Sequence, residues 1–353
     1  MRLRFIFLLF LFVGFTNAKS QTLDKTKKYV VAAVGFWNVE NLYDTLNDPD
    51  KLDEEFLPDG SNGWTGARYK KKIEHLADVI SEMAVDATPD GIAIMGLCEI
   101  ENKNVLKDLA NSPKLKARNY QIVHFEGPDA RGVDPALLYN PKYFKVTKSV
   151  TYKVSVVTDT AHKTREQLVV SGLLNGEPLT VIVNHWPSRR GGELISLPNR
   201  ISAAKVARHI ADSVMKADVK NKVMIMGDLN DDPTNESVKK YIKTYGDLNR
   251  TRDDELFNPM ENLYKQGIGT LAWEDAWNLF DQIIMNKPLV PIDVATSYKT
   301  FQYYKAFVFN KPYLRSDYGN FKGYPFRTYS GSTYTAGYSD HFAVFILLMK
   351  ELR

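Results

Sequence analysis

With 353 residues, 44% of them hydrophobic, the chain has enough apolar material for a large buried core in one domain or two. Its 46 basic and 42 acidic residues leave a formal net charge of only +4, so a polyanion site would have to rest on a local basic patch rather than on bulk charge. The single cysteine, Cys98, excludes an internal disulfide, and no run beyond the N-terminal leader is long and apolar enough to be a membrane helix.

Residues 1–18 read as an export leader. Arg2 and Arg4 form a basic start, residues 5–15 are apolar but too short to span a bilayer, and Thr16-Asn17-Ala18 ends in a small residue suited to cleavage. No cysteine sits near that point to carry a lipid anchor. The expected location is therefore periplasmic or extracellular, with residues 19–28 a flexible polar lead-in to one domain at residues 29–353. Residues 29–37, rich in Val and Ala and ending in Phe36-Trp37, predict a strand. Residues 45–64 carry the Asp, Asn, Pro and Gly of a long loop. Residues 68–84 place Ile73, Leu76, Ala77, Ile80 and Met83 at helical spacing, with Lys70–Lys72 and His75 on what reads as the solvated face.

Residues 92–97 predict a buried strand running into Cys98 and Glu99, and residues 101–109 a short helix. Short strands follow at 120–125 and 136–139 around a loop at 127–132. Residues 145–157 alternate Val with polar residues, as a strand with one exposed face does. Residues 167–174 and 178–183 flank Asn175-Gly176, a preferred hairpin turn. An amphipathic helix is expected over 198–215 with Pro198 at its start. The apolar run 223–226 predicts a buried strand, and a helix-rich stretch continues to about residue 264. Residues 268–273 and 277–285 look like paired strands around Glu274-Asp275. Residues 290–325 are aromatic and loop-like, and 342–349 is the last strand. Strands at both hairpin and crossover spacing argue for α/β architecture, two mixed sheets packed face to face with helices outside. There is no repeat, low-complexity tract or linker to mark a second domain.

Four of these strands end in polar residues that can do chemistry: Asn38 and Glu40, Glu99, Asp228 and Asn230, and Asp340 with His341. In extended geometry Asp228 and Asn230 alternate with Leu229 and share a face. Carboxylate and amide oxygens are hard ligands that suit Mg²⁺, Mn²⁺ or Ca²⁺ over Zn²⁺. Zinc finds no cysteine pair and no His-Glu-x-x-His spacing. Asp231 and Asp232 read as turn residues, and His124, His162 and His209 as structural. His185 ends a strand and is followed by Trp186-Pro187-Ser188-Arg189-Arg190, where arginine forks suit phosphate oxygens and a histidine can handle a proton. Asp281 lies inside an apolar strand, and a buried carboxylate needs a partner; His341 is the candidate.

Taken together, the segments 36–44, 97–102, 131–137, 184–189, 227–230, 280–283 and 339–341 resemble, in order, the motifs of the endonuclease/exonuclease/phosphatase (DNase I-like) superfamily. The opening and the Asn184-His-Trp-Pro-Ser-Arg189 block look most like its secreted bacterial nuclease branch. The resemblance implies a four-layer α/β sandwich and a metal-dependent phosphodiesterase acting on nucleic acid. By position it implies Glu99, Asn38 and Asp340 as metal-site residues, normally for Mg²⁺. Glu40 stands where some relatives carry an acid near the metal. It further implies Asp228 and Asn230 aiming water and phosphate, His341 with Asp281, His185 as second catalytic histidine, and Arg131 and Arg189 on phosphate. Arg190, Arg200 and Lys70–Lys72 are further cations that could meet a nucleic-acid backbone. The chain lacks the Trp-Thr-Asp-Arg segment of inositol phosphatases, carrying Phe280-Asp281-Gln282-Ile283 instead. Alternatives are a lipid or small-molecule phosphoesterase and a non-catalytic binding protein on the same fold. No stable protein partner is expected, and the chain reads as a monomer.

Overall fold

The computed structural model describes residues 26–248, 254–292 and 297–352. The leader and most of the lead-in lie outside the described residues. The elements in chain order are β1 (Tyr29–Leu42), α1 (Gly66–Glu82), β2 (Ile92–Ile100), α2 (Lys103–Ala110), β3 (Gln121–His124), β4 (Asp134–Tyr139), β5 (Phe144–Tyr152), β6 (Gln167–Leu174), β7 (Glu177–His185), α3 (Glu193–Ala217), β8 (Lys222–Asp228), β9 (Thr244–Tyr245), β10 (Leu256–Phe257), α4 (Met260–Lys265), β11 (Leu271–Trp273), β12 (Ala276–Asn278), β13 (Asp281–Met285), β14 (Gln302–Phe309), β15 (Tyr329–Ser330), β16 (Thr333–Tyr334) and β17 (Ala343–Glu351).

Two mixed sheets form, in the orders β14-β17-β1-β2-β4-β3 and β5-β6-β7-β8-β13-β10-β9. Residue alternation explains their stacking. Along β1, Ala32, Val34 and Phe36 join Val344 and Ile346 of β17 in a core shared with Val181, Val183, Met224 and Met226 of the second sheet. The intervening Ala33 and Trp37 face α1 and α2 with Ile80, Leu106 and Leu109. Val223 and Ile225 of β8 turn the other way, onto Ala203, Ala207 and Ile210 of α3. The result is helices, sheet, sheet, helix: the four-layer DNase I-like α/β sandwich. Gly96 is needed where the sheets come closest, because a Cβ there would lie 2.6 Å from Met226 Sδ and 3.1 Å from the Phe36 ring.

Several local expectations are corrected. Helix α3 begins at Glu193, so Pro198 lies inside it rather than at its start; Ser196 Oγ and Arg200 Nη2 hydrogen-bond to the Gly192 and Glu193 carbonyls in that first stretch. Residues 268–285 do not form one long pair. β11 and β12 make a short hairpin, and from Asp281 the chain joins β8, because Asp232 accepts from Asn278 Nδ2 and Leu279 N and turns the chain there. The loop-like aromatic stretch contains β14, an edge strand on β17 whose period is broken by a bulge between Tyr303 and Lys305. The stretch before residue 264 is less helical than expected: a single π-turn at Ser237–Ile242, two very short strands and α4.

Candidate active site

Three neighbouring strands of the second sheet end side by side. In register, His185 of β7 lies beside Asp228 of β8, and Asp228 beside Asp281 of β13. Every residue of β8 is buried. Its neighbour β7 comes so close that a Cβ on Gly227 would sit 2.4 Å from the Asn184 carbonyl oxygen. Trp186 locks the junction, its backbone N donating to Asp228 O (2.9 Å) and its indole to Asn184 Oδ1 (3.0 Å). The first sheet delivers its residues to the same rim. Ser339 Oγ donates to Asn38 O (2.7 Å) and accepts from His341 N (3.1 Å), while Trp37 Nε1 donates to His341 O (2.9 Å).

Asp228 is the centre of the cluster. Asn38 Nδ2 donates to its Oδ2 (3.0 Å) and Asn230 N to its Oδ1 (2.9 Å). The same Oδ2 lies 3.7 Å from His185 Nε2 and 4.0 Å from His341 Nε2. His341 Nδ1 donates to Asp281 Oδ2 at 2.7 Å. Asn230 does not continue the strand as simple alternation suggests. It is left-handed (φ 49°), its side chain donates to Trp186 O, and Leu229 N turns to Phe280 O.

Glu99 also sits in left-handed backbone (φ 63°), at a bulge between Leu97 and Ile100 of β2. Such bulges re-aim a side chain, and non-glycine residues there are held by their surroundings. Here Asn41 N, itself at φ 54°, donates to Glu99 Oε2 (2.9 Å). Glu99 Oε1 has only long contacts, 3.5 Å to Asn38 Nδ2 and 3.8 Å to His185 Nε2. Arg131 Nη2 lies 3.7 Å from Glu99 and donates to Asn41 Oδ1, at the edge of the cluster. An oxygen-only donor set of this kind fits a hard divalent cation. Asn38 accepts from Glu40 N at its side-chain oxygen (3.0 Å) and turns its amide nitrogen to Asp228, so it positions that carboxylate. Asp340 gives Oδ2 to Arg327 Nη2 (2.7 Å). Among the described residues no three acidic, histidine or cysteine side chains cage an ion by themselves.

The electrostatics separate the two histidines. Burial, then the charges of Arg165, Arg131 and His341, push His185 well below the ordinary histidine value, so it is neutral. Its Nδ1 is buried without a partner. Burial also opposes charge on His341, but Asp281, Asp228 and Asp340 outweigh it and hold that ring cationic. Burial raises the Asp228 carboxyl and His341 pulls it back, leaving it at about 6. Glu40 is pushed up to about 7 by burial and by Asp340 beside it.

Several cations have other work than substrate. Arg189 stacks on Phe280 (4.5 Å) and donates to Asn230 O, Glu193, Asp231 and Asn235, so it braces the Asn230 turn. Arg200 is wholly buried, 2.8 Å from Asp231, and reaches no nucleic-acid surface. Asp231 and Asp232 are buried anchors, not solvated turn residues. Lys72 is 2% exposed rather than solvated; it donates to Thr328 Oγ1 and Tyr338 O and lies 3.7 Å from Glu40. His75, one turn on, is buried and stacked on Tyr338 (4.2 Å). Lys72 and His75 share a helix face, a spacing that signals burial once their partners are known. Arg165, which donates to Trp186 O (2.8 Å) and lies 3.3 Å from Asp129, comes from irregular sequence with no signal to find it.

The chain matches the model of the Endonuclease/Exonuclease/phosphatase family over residues 33–350, and it belongs to that family. It is a family of phosphoester hydrolases. Among solved structures, truncated Caenorhabditis elegans TDP2 is similar at 15% identity and TM-score 0.53, covering 90% of this chain and 97% of that one. An endonuclease/exonuclease/phosphatase family protein of Bacteroides thetaiotaomicron is similar at 14% identity and TM-score 0.53, with coverages of 92% and 100%. The mannosyl-6-phosphatase of the same organism is similar at 14% and 0.52, with coverages of 90% and 99%. These likenesses show the fold. No curated protein sequence matches the chain.

Proposed function

We propose that the chain is a divalent-metal-dependent phosphodiesterase, an exported nuclease of the secreted bacterial branch that cleaves DNA or RNA by in-line attack of water. The observation that carries this reading is the buried Asp228 carboxylate, hydrogen-bonded by two amides and flanked by one neutral and one cationic imidazole. A phosphodiester resists hydrolysis because its anionic oxygens repel the nucleophile. The His341 imidazolium, oriented by Asp281, puts positive charge where negative charge builds. His185, neutral and with Nε2 toward the cluster, donates a hydrogen bond to the same phosphate. Asp228 aims the water and takes its proton, a role worth on the order of 10²–10⁴ in rate. Arg131, its guanidinium half-exposed, holds the substrate's phosphate at the edge of the cluster. Glu99, with Asp340 nearby, would hold Mg²⁺ (or Mn²⁺ or Ca²⁺), which when bound neutralises the phosphate oxygens and the leaving oxygen.

The test is turnover of the purified protein with Mg²⁺ on plasmid DNA, RNA, sphingomyelin, an inositol phosphate and a sugar phosphate. Asp228→Asn and His341→Ala, each checked for folding, are expected to lose at least ~100-fold on nucleic acid, and EDTA to abolish activity. Wild-type rates in both variants would refute the assignment of the cluster. Hydrolysis confined to phosphomonoesters would refute the substrate.

A further inference from the structure

Trp273 stands at the end of β11 with 68% of its surface exposed, next to the two-residue turn Glu274-Asp275, both left-handed (φ 47° and 62°). The hairpin that carries it is held rigid on its other face. Across from Ala272, Trp277 stacks on Phe342 (6.1 Å, 14° between planes), the residue after His341. Asp275 N donates to the Tyr324 hydroxyl (2.7 Å), which donates to Asp275 Oδ1 (2.6 Å), and Phe342 N donates to Thr270 O (2.7 Å). Register puts Trp273 and Ala276 on the same face as Leu271 and Asn278. Asn278 binds Asp232, and Asp232 lies 3.5 Å from Arg189. The face that carries Trp273 is thus tied, through Asn278 and Asp232, to Arg189, the chain neighbour of Arg190. Arg190 is exposed and makes no ion pair among the described residues.

Ala276, paired with Trp273, is five positions before Asp281, so at most roughly 17 Å of chain separates the hairpin from that member of the cluster. A nucleotide strand, rising ~3.4 Å per residue, covers it in about five steps. An exposed aromatic on a hairpin packed against the residue after His341, with an exposed arginine elsewhere on the surface, offers the stacking and charge that bind bases and backbone together. We propose that Trp273 is a base-stacking platform, and Arg190 a backbone contact, for a nucleic-acid strand leading away from the catalytic cluster. The proposal rests on the nuclease reading and names two contacts outside its chemistry.

Fluorescence anisotropy with a labelled 12-nucleotide DNA in EDTA measures this binding without turnover. Trp273→Ala is expected to weaken it about tenfold, as the loss of one base–aromatic stack does, while Trp273→Phe stays within about threefold of wild type. Arg190→Ala should weaken binding and reduce the salt slope by about one. All three should hydrolyse bis(p-nitrophenyl) phosphate at the wild-type rate in Mg²⁺. Wild-type oligonucleotide affinity in Trp273→Ala overturns the proposal, as does an equal loss on the small diester, which would mean general damage. Loss of binding to phosphatidylglycerol–phosphatidylcholine vesicles with oligonucleotide affinity intact overturns it in favour of a lipid surface. Absence of DNA cleavage by the wild type, with Trp273-dependent binding present, would instead remove the nuclease reading and leave the platform standing.

Discussion

Asp134 opens β4 with its carboxyl 2% exposed, accepting from Gly127 N at 2.8 Å. Burial, with Asp129 and Glu126 adding to it and Lys51 opposing, raises it to about 7 against an unperturbed 3.8. Between these values the folded state holds a proton the unfolded chain has released. The stability this group contributes is full below about pH 4 and is lost as pH rises through about 7. Asp134→Asn keeps an acceptor for Gly127 and removes the titration. It is expected to melt close to wild type at pH 4 and roughly 2–5 °C higher at pH 8; equal melting temperatures at pH 8 would show that the carboxyl is ionised at little cost. At the same scale, the contact of Asp281 with His341 was legible because an acid inside an apolar strand must find a partner. The sinks for Arg189 and Lys72 were not, since a cation's partners lie far off in the chain.

At the level of elements, the site depends on how closely β7 and β8 pair. Their last register partners are His185 and Asp228, and Gly227 permits the approach. Gly227→Ala would drive a methyl into the Asn184 backbone. It should cost about 1–3 kcal/mol in urea unfolding and reduce turnover of the folded fraction by more than the stability loss explains. Undiminished turnover would mean that the spacing of these strands does not set the geometry of the cluster. The long strands were readable from continuous apolar runs. β14 was not, because an edge strand with aromatics on both faces and a bulge shows no clean period.

The whole molecule carries a formal charge of only +4, so attraction for a polyanion must come from the cations at the rim. On the nuclease reading, the KM for DNA should climb steeply between 50 and 200 mM salt, about tenfold for each two phosphate contacts broken over a comparable range, while the KM for bis(p-nitrophenyl) phosphate stays flat. A flat response on both would argue that the substrate is not a polyanion. The same cations show why substrate class is hard to read from a linear pattern. Arg189 and Arg200 look available in sequence and are consumed by Asp231 in the fold.

Sequence alone determined the layered α/β class, the strand ends bearing Asn38, Glu99, Asp228 and His341, and the family motifs, because hydrophobic period and strand-end chemistry are local properties. Tertiary structure decided which of those groups meet. It gave His341 a hydrogen-bonded acid at Nδ1 and left His185 Nδ1 buried without a partner, turned the Asn38 amide onto Asp228, and stood Trp273 in solvent. Those outcomes depend on neighbours distant in the chain, and pairwise contact, charge and burial have no local signature.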